Sequence, residues 1–546
     1  MTYDKGQLSD VPDTSQNVLV IASEKELMNF LMDILEIGNG IESEETLQKI
    51  KSYRILFSFL SRISVLTIVI EDKYVDRIYR DSFYMHFSCK HGDYSRFCKR
   101  LFLFWGDVFE DTEKQMFSEL DANDLQKRFI GTVVIRPLIE GKVGRSLINP
   151  YFILGKADTY LRYAKYSATI YGIRLRISAF PFSMQDGETT TCAEITILNL
   201  IDYFSRKYSE YKNILPSQIA EIVRENDFER TLPSRGLKYS LITKVFSEAG
   251  FYPRLYGKNA FSDMSQFKRV MHYYIESGIP VAVGAKVDEK TKHSIICIGH
   301  GRLRHEDIGR KIYAVFDTAA GSHIWLVDSS DLCSDYIVMD DGSAPYGECE
   351  WKVKEPHDIK KPNKCMMGSY EPEMLMVPLS KRMFLEAQDA YDICTSALAS
   401  KKVGIRRFYP KVGTREDPVI IRIFMCSSRN YKQRRITNFS NRNKEVCIRY
   451  QKLRLPKFIW VCEIYDKEGY INGRAKGELV IDATASPDYG EKSILLVHYP
   501  YHIMVCRKNV ENVDKIFDED ETFDKVHDWE QFNGYDHNLF QTEKLK

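Results

Sequence analysis

Signals for export and for membrane insertion are missing from this sequence. Residues 1–17 are polar and acidic and contain neither a basic segment nor an apolar core, so we expect no secretory signal peptide. The most apolar early stretch, Leu56 to Ile70, is interrupted by Arg62 and is shorter than the roughly 20 apolar residues that a membrane span requires. We therefore expect a cytoplasmic protein with no membrane partner.

The motifs of several large enzyme classes are also absent. The sequence contains no P-loop, no dinucleotide-binding glycine fingerprint and no HExxH pair, and we expect no cofactor. The formal net charge is only +1, which argues against a strong positive potential over the whole molecule of the kind that attracts nucleic acid. The stretch from Arg429 to Lys457 is rich in Lys and Arg, but we interpret it as a solvated face that the acidic tail can pair with.

The twelve cysteines include no CxxC pair and are spread over the 546 residues. This distribution indicates reduced thiols of a cytosolic protein rather than a disulfide framework. Two groups of Cys and His have spacings unlike those of a known zinc finger or ribbon, so we expect no metal site at either. These groups are His86, Cys89, His91 and Cys98, and Cys349, His357 and Cys365.

Changes of pattern divide the sequence into four parts. The hydrophobic fraction of 44% is that of an ordinary globular protein, and the length is too great for one domain. We predict a mixed α/β N-terminal accessory domain (1–165), a central domain (166–380), a β-rich C-terminal accessory domain (381–510) and an acidic tail (511–546). The tail is expected to be mobile in part or to dock on a basic face.

The central part places helices first and strands second, which is the order of an α+β fold. Outside it, hydrophobic periodicity predicts helices at Glu24–Ile37 and Lys381–Ala399. Within it, the pattern predicts a strand at Tyr171–Phe180, helices at Pro216–Asn226, Leu237–Ala249 and Met264–Glu276, and strands at Ile279–Val287, His293–Gly299, Lys311–Asp317 and Tyr336–Asp340.

Cys192 has the sequence context of a thiol nucleophile. It follows the polar loop 185–191 and opens an apolar-periodic segment that extends to Phe204. The threonines before it form a good helix N-cap, and Glu194 suits the first helical turn. The positive end of the helix dipole favours the thiolate form of a cysteine in this position.

A thiol hydrolase also needs an imidazole and a group that orients it. His293 begins a buried strand after a charged loop, so its ring can face a cleft. Asp340 ends a later strand and is our preferred orienting carboxylate. Asp341, which points to the other face if the strand persists, and Asp317, at another strand end, remain alternatives.

The tetrahedral intermediate of such a reaction needs hydrogen-bond donors for its oxyanion. Gln185, seven residues before Cys192, can supply a side-chain N–H, and the backbone amide of Cys192 can supply a second donor.

Short motifs follow one another in a fixed order through this region: Pro181-Phe182, Gln185-Asp186, Cys192-Ala193, Arg235-Gly236-Leu237, Gly278-Ile279-Pro280-Val281, His293 to Gly299, and Asp340-Asp341 with Pro345-Tyr346. Over residues 171–378 the set resembles the papain-like cysteine peptidase superfamily, and it is most similar to the bacteriocin-processing, double-glycine-leader branch. The resemblance implies a papain-like domain, a helical lobe followed by an antiparallel sheet. It also implies a Cys-His-Asp/Asn site with an oxyanion glutamine, carried here by Cys192, His293, Asp340 and Gln185.

Two features depart from that family. Its glutamine usually lies six residues before the cysteine, and the interval from His293 to Asp340 is long, which implies an inserted element around Gly301 to Ser330.

The sequence nevertheless predicts a cysteine hydrolase, a peptidase or isopeptidase that acts on a protein or peptide through a thioester acyl-enzyme. We expect the flanking domains to select the substrate or a protein partner. A transglutaminase-like acyltransferase and a catalytically inactive peptidase-like scaffold remain alternatives.

Overall fold

The computed structural model combines helices with several sheets in an α+β fold. It describes residues 18–37, 44–110, 117–155, 158–227, 231–317, 322–354, 364–439, 443–506, 524–526 and 531–542. No helix within these ranges is long and apolar enough to cross a membrane.

The N-terminal part is an antiparallel sheet accompanied by helices. Its strands lie in the order β1-β2-β3-β4-β5, and β6 also pairs with β4. The apolar stretch 56–70 divides into the end of a helix and the start of a strand. The elements are β1 (Val18–Ile21), α1 (Glu24–Ile34), α2 (Glu44–Leu47), α3 (Lys51–Leu60), β2 (Leu66–Tyr74), α4 (Arg77–Met85), β3 (Cys98–Trp105), α5 (Ala122–Arg128), β4 (Phe129–Arg136), β5 (Lys142–Val143), β6 (Leu147–Ile148) and α6 (Pro150–Leu154).

The central part contains helices followed by an antiparallel sheet in the order β10-β18-β11-β12-β15-β16-β17. Two of its helices, α8 and α10, have the predicted bounds. The elements are β7 (Tyr160–Leu161), β8 (Ala164–Ile170), β9 (Ile173–Ala179), α7 (Cys192–Lys207), α8 (Pro216–Asn226), α9 (Tyr239–Glu248), β10 (Arg254–Gly257), α10 (Met264–Glu276), β11 (Val281–Lys286), β12 (Lys292–His300), β13 (Tyr313–Asp317), β14 (Ser322–Asp328), β15 (Asp335–Met339), β16 (Gly347–Lys354), β17 (Lys364–Met367) and β18 (Glu371–Val377).

The C-terminal part is built on a second large sheet. Its first helix was predicted to begin at Lys381 but begins at Ala387. The backbone amides of Phe384 and Leu385 donate to the carbonyl oxygen of Ala483 instead, at 3.0 and 3.2 Å. The elements are α11 (Ala387–Ala399), β19 (Val419–Ser427), α12 (Ser428–Phe439), α13 (Lys444–Lys452), β20 (Phe458–Tyr465), α14 (Lys467–Ile471), β21 (Arg474–Ala475), β22 (Gly477–Asp482), β23 (Ile494–Tyr499), β24 (His502–Val505), β25 (Asp524–Lys525), β26 (Phe532–Asn533) and β27 (Phe540–Gln541).

The long interval between His293 and Asp340 contributes two strands to the C-terminal sheet. That sheet has the order β13-β14-β19-β20-β22-β23-β24-β25, and β14 runs parallel to β19. The chain therefore leaves the central sheet after β12, adds two strands to the neighbouring sheet, and returns in β15. Backbone hydrogen bonds between β14 of this excursion and β19 therefore join the central part to the C-terminal part.

The described segments of the acidic tail pack on the rest of the molecule. Strand β26 pairs with β21, and β27 pairs with β7. Asp536 lies 2.9 Å from the guanidinium of Arg434 on α12, and Asp524 pairs with Arg449 on α13. The cationic stretch predicted to face solvent thus supplies partners for tail carboxylates.

Apolar packing is continuous between the N-terminal and central parts. One buried cluster includes Phe104 of the N-terminal sheet, Leu200 of α7, Ile296 of β12 and Met376 of β18. Burial of side chains of this size contributes about 1.5–3 kcal/mol each. The N-terminal part is therefore packed directly against the helix and strands that carry the candidate site.

A buried ion network joins α10, α12 and the C-terminal sheet. The Arg435 side chain is fully buried and donates to Glu463 at 2.7 Å and to Glu478 at 2.6 Å. Arg422 of β19 extends the network, because it reaches Glu463 at 3.1 Å and Glu276 of α10 at 2.7 Å. Each buried charge in this network depends on its partners for compensation.

Candidate active site

Cys192 is the first residue of α7 and is partly exposed. Thr191 is the N-cap, and its backbone amide donates to the Glu194 carboxylate at 3.0 Å. The backbone amides of Cys192 and Ala193, at the first two helical positions, have no acceptor within the helix, whereas that of Glu194 donates to the Thr191 side chain in a capping box. The thiol thus lies at the end of a helix that favours negative charge.

The loop before Cys192 is shaped by Asp186. Its Oδ1 accepts hydrogen bonds from the backbone amides of Glu188, Thr189 and Thr190 at 2.7–2.9 Å. Burial raises the pKa of Asp186, but Arg136 and these hydrogen bonds together bring it below its usual value. Sequence reasoning gave Asp186 no role, although an Asp that accepts from following amides is a recognisable turn signal.

His293 lies between Asp340 and Cys192. Its Nε2–H donates to Asp340 Oδ1 at 2.8 Å, and its side chain is 14% exposed. Cys192 is near enough to the ring to contribute to the pKa of His293. Because Nε2 is occupied by the carboxylate, Nδ1 is the nitrogen that can exchange a proton with the thiol. Burial alone would lower the pKa of His293, but Asp340 and Cys192 raise it to about 10.

Asp340 follows the end of β15 and is held by four donors. Besides His293, its carboxylate accepts from the Gly342 amide at 2.8 Å, the Ser343 hydroxyl at 3.1 Å and the Tyr370 hydroxyl at 2.6 Å. Burial would raise its pKa, but the hydrogen bonds from His293 and Tyr370 lower it to about 2. The carboxylate is therefore charged and fixed in the position that orients the imidazole.

Tyr370 is a site residue that the sequence analysis missed. Besides the hydrogen bond to Asp340, its ring stacks on the His293 ring, with centroids 5.5 Å apart and an interplanar angle of 29°. It lies in the turn before β18, and no local pattern in the sequence marks it. The Tyr370 ring covers one face of the imidazole, and both side chains hydrogen-bond to the carboxylate of Asp340. These contacts restrict the tilt of the imidazole.

Asp341 was expected on the opposite face only if the strand persisted, and the strand does not extend to it. The strand ends at Met339, so the alternation of faces stops before the two carboxylates. Asp341 Oδ1 lies 3.5 Å from His293 Nε2, and its Oδ2 accepts from the Gln185 backbone amide at 3.4 Å. Burial raises the pKa of Asp341, while Lys51 and His293 oppose that shift.

The remaining candidates lie as follows. The backbone of Gln185 adjoins the site through that contact with Asp341, and the oxyanion role of its side chain stays a prediction. Asp317 ends β13, in the C-terminal sheet rather than the sheet of His293, and its side chain is outside the described residues. The geometry therefore favours Asp340 as the orienting carboxylate.

Within the part of the chain that the structure describes, one group of potential metal ligands has its ligand atoms within 4.8 Å of one another. Its members are His293, Asp340 and Asp341. Their charges are already compensated, because Lys51 Nζ lies 3.5 Å from Asp341 and the ring of His293 is cationic.

The first Cys/His group is not among the potential metal-ligand groups of the residues that the structure describes. His86 pairs with Glu188 at 2.8 Å, and Cys98 is buried in β3. In the second group, His357 and the side chain of Cys365 lie outside the described residues.

Comparison with known proteins leaves the site to be judged on its geometry. No protein-family model and no curated protein sequence matches this chain.

We expect the His293 ring to stay protonated through neutral pH. Its pKa of about 10 in the folded protein lies above the ordinary 6.5, so the charged ring stabilises the fold fully below pH 6.5. That stabilisation is lost as the pH rises through about 10. An NMR resonance of this ring, assigned by its absence in His293→Gln, should hold its position from about pH 6 to pH 8. A titration centred near 6.5 would show that the pairing with Asp340 is weak.

Proposed function

We propose that this chain is a cysteine hydrolase, a peptidase or isopeptidase, in which Cys192, His293 and Asp340 form the catalytic triad. The observation that carries the proposal is the position of His293. Its Nε2 lies 2.8 Å from Asp340 Oδ1, and the same ring interacts with a cysteine at the first position of a helix, which raises the pKa of the ring. A nucleophile, a base and an orienting carboxylate in contact are the arrangement that thiol hydrolysis requires.

We infer a papain-like arrangement for the central domain. A cysteine on a helix faces a histidine on an antiparallel sheet, and the helices precede the sheet in the chain. This order supports the resemblance drawn from the sequence motifs.

In the proposed reaction, the Cys192 thiolate attacks the carbonyl carbon of a peptide or isopeptide bond. The backbone amide of Cys192 and the side chain of Gln185 stabilise the oxyanion. The His293 imidazolium gives its proton to the leaving amine, and a thioester remains on Cys192. His293 then takes a proton from water, the hydroxide displaces the thiolate, and the carboxylic acid product leaves. Asp340 stays ionised throughout and holds the ring.

The test is the pH dependence of cysteine alkylation by iodoacetamide, measured residue by residue by mass spectrometry. We expect Cys192 to react faster than Cys89 at about pH 6, because the neighbouring His293 imidazolium stabilises its thiolate. In His293→Ala, this advantage over Cys89 at about pH 6 should be lost, because the cation beside the thiol is removed.

Cys89 provides the internal control, because it is an exposed cysteine in the same sample. Its alkylation profile should be the same in the wild type and in His293→Ala. If Cys192 and Cys89 have the same profile in the wild type, the catalytic proposal fails and a binding role for the domain takes its place.

A further inference from the structure

Cations from the N-terminal part contact acidic residues on both sides of the candidate site. Two of these contacts hold the loop before Cys192, and the third reaches the turn that follows β15. The charged groups lie 2.6–3.6 Å apart. The pairs are Arg136 with Asp186, Lys90 with Glu188, and Lys51 with Asp341.

The third pair is the one that touches the catalytic imidazole. Lys51 is the first residue of α3, and its Nζ lies 3.5 Å from Asp341 Oδ2. Oδ1 of the same carboxylate lies 3.5 Å from His293 Nε2. A second contact from α3 supports this approach, because Arg54 Nη2 donates to the Gly342 carbonyl oxygen at 3.5 Å.

Asp341 is poorly satisfied in comparison with its neighbour. Asp340 accepts four hydrogen bonds, whereas Asp341 Oδ1 accepts none from the residues that the structure describes. Asp341 is nevertheless only 5% exposed. A buried carboxylate with few donors needs nearby cations, and here these are Lys51 and His293.

The position of Asp341 links two parts of the site. Its carboxylate spans the His293 ring and the backbone amide of Gln185, which belong to the sheet and to the loop before the nucleophile. Lys51 approaches the same carboxylate from the N-terminal part. The charged groups facing Asp341 are Lys51, His293 and Asp340, and the Tyr370 hydroxyl lies beyond Asp340.

We propose that Lys51 is a positioning residue for this site and that it acts through Asp341 to hold the His293 ring and the Gln185 loop in register with Cys192. The inference rests on the proposed hydrolase function. It assigns the N-terminal part a role in completing the active site, in addition to any part it has in selecting a substrate.

The experiment compares iodoacetamide alkylation of Cys192 in full-length wild type, Lys51→Met, Lys51→Arg and Lys49→Met across about pH 5 to pH 10. We expect Lys51→Met to slow alkylation about tenfold at pH 6 and to approach the wild-type rate near pH 10, which is above the usual pKa of a thiol. Lys51→Arg should restore most of the rate, because it keeps the charge. Lys49 is 71% exposed and pairs with Glu45, so Lys49→Met should leave the profile unchanged.

Asp341→Asn provides a second route to the same conclusion. It should slow alkylation at pH 6 as Lys51→Met does, and adding Lys51→Met to it should produce little further change, since both act through one carboxylate. The thermal midpoint of each variant shows that the chain is folded.

The outcomes separate this inference from the proposed function. A wild-type Cys192 that reacts rapidly at pH 6, with a folded Lys51→Met variant that behaves identically, overturns the positioning role and leaves the hydrolase proposal intact. Additive effects of Lys51→Met and Asp341→Asn would also overturn it. A wild-type Cys192 that reacts no faster than Cys89 overturns both.

Discussion

Replacing Cys192 with alanine is expected to lower peptide hydrolysis by on the order of 10⁴-fold or more, because no other group can form the thioester. The cysteine is partly exposed at the start of α7, so the change removes little buried surface and should leave the thermal midpoint nearly unchanged. The measurement is the release of new amino termini from a pool of unlabelled peptides incubated with the purified full-length chain.

Cys89→Ala is the matched control, because it removes another accessible thiol and should leave the cleavage rate unchanged. A folded Cys192→Ala variant that cleaves the same peptides at the wild-type rate would show that the activity has another source. Equal rates in wild type and variant at the level of buffer alone would instead indicate that the pool lacks a substrate. In that case an activated acyl donor is added and Cys192 is examined by mass spectrometry. A thioester on Cys192 would support the hydrolase proposal, and its absence would support a binding role for the domain.

Replacing Arg435 with methionine is expected to destabilise the C-terminal part by about 3–5 kcal/mol. Arg435, Glu463 and Glu478 each have a side-chain exposure of 0%. Methionine has a similar length but no charge, so two carboxylates lose a cation at 2.6–2.7 Å and stay inside the protein. Urea unfolding followed by tryptophan fluorescence measures the effect, because Trp460 is fully buried in the same sheet.

The neighbouring residue supplies the control for this prediction. Arg434 pairs with Asp536, whose side chain is 50% exposed, and Arg434→Met should cost no more than about 1 kcal/mol. Combining Arg435→Met with Glu463→Gln and Glu478→Gln should recover part of the lost stability, since the uncompensated charges are removed. Equal losses in Arg434→Met and Arg435→Met would contradict a central role for the buried network.

Secondary structure was most predictable where the local pattern agreed with the packing. Helices α8 and α10 have the predicted bounds, because their apolar periodicity coincides with the faces that become buried. The start of α11 was not predictable, since it depends on hydrogen bonds to Ala483, about 100 residues later. The destination of β13 and β14 depends in the same way on a partner strand, β19, that lies far along the chain.

The candidate site likewise combines residues that the local sequence predicts with residues that it does not. Cys192 could be proposed from the loop and helix around it, and His293 and Asp340 from the ends of their strands. Tyr370 and Lys51 could not, because neither has a local signal and both reach the site across the fold. The strand end at Met339, which turns Asp341 toward the imidazole, is likewise a property of the folded sheet.

The excursion of the chain between His293 and Asp340 has a consequence for biosynthesis. Residues 326–328 of β14 pair with residues 419–421 of β19, which leave the ribosome only after every residue of the candidate triad has emerged. Since domains fold as their parts become available during synthesis, β14 cannot take its final place in the sheet before that point. The span that joins the imidazole of His293 to the carboxylate of Asp340 is therefore anchored late, and the nascent chain carries an incompletely supported triad until the C-terminal sheet has formed.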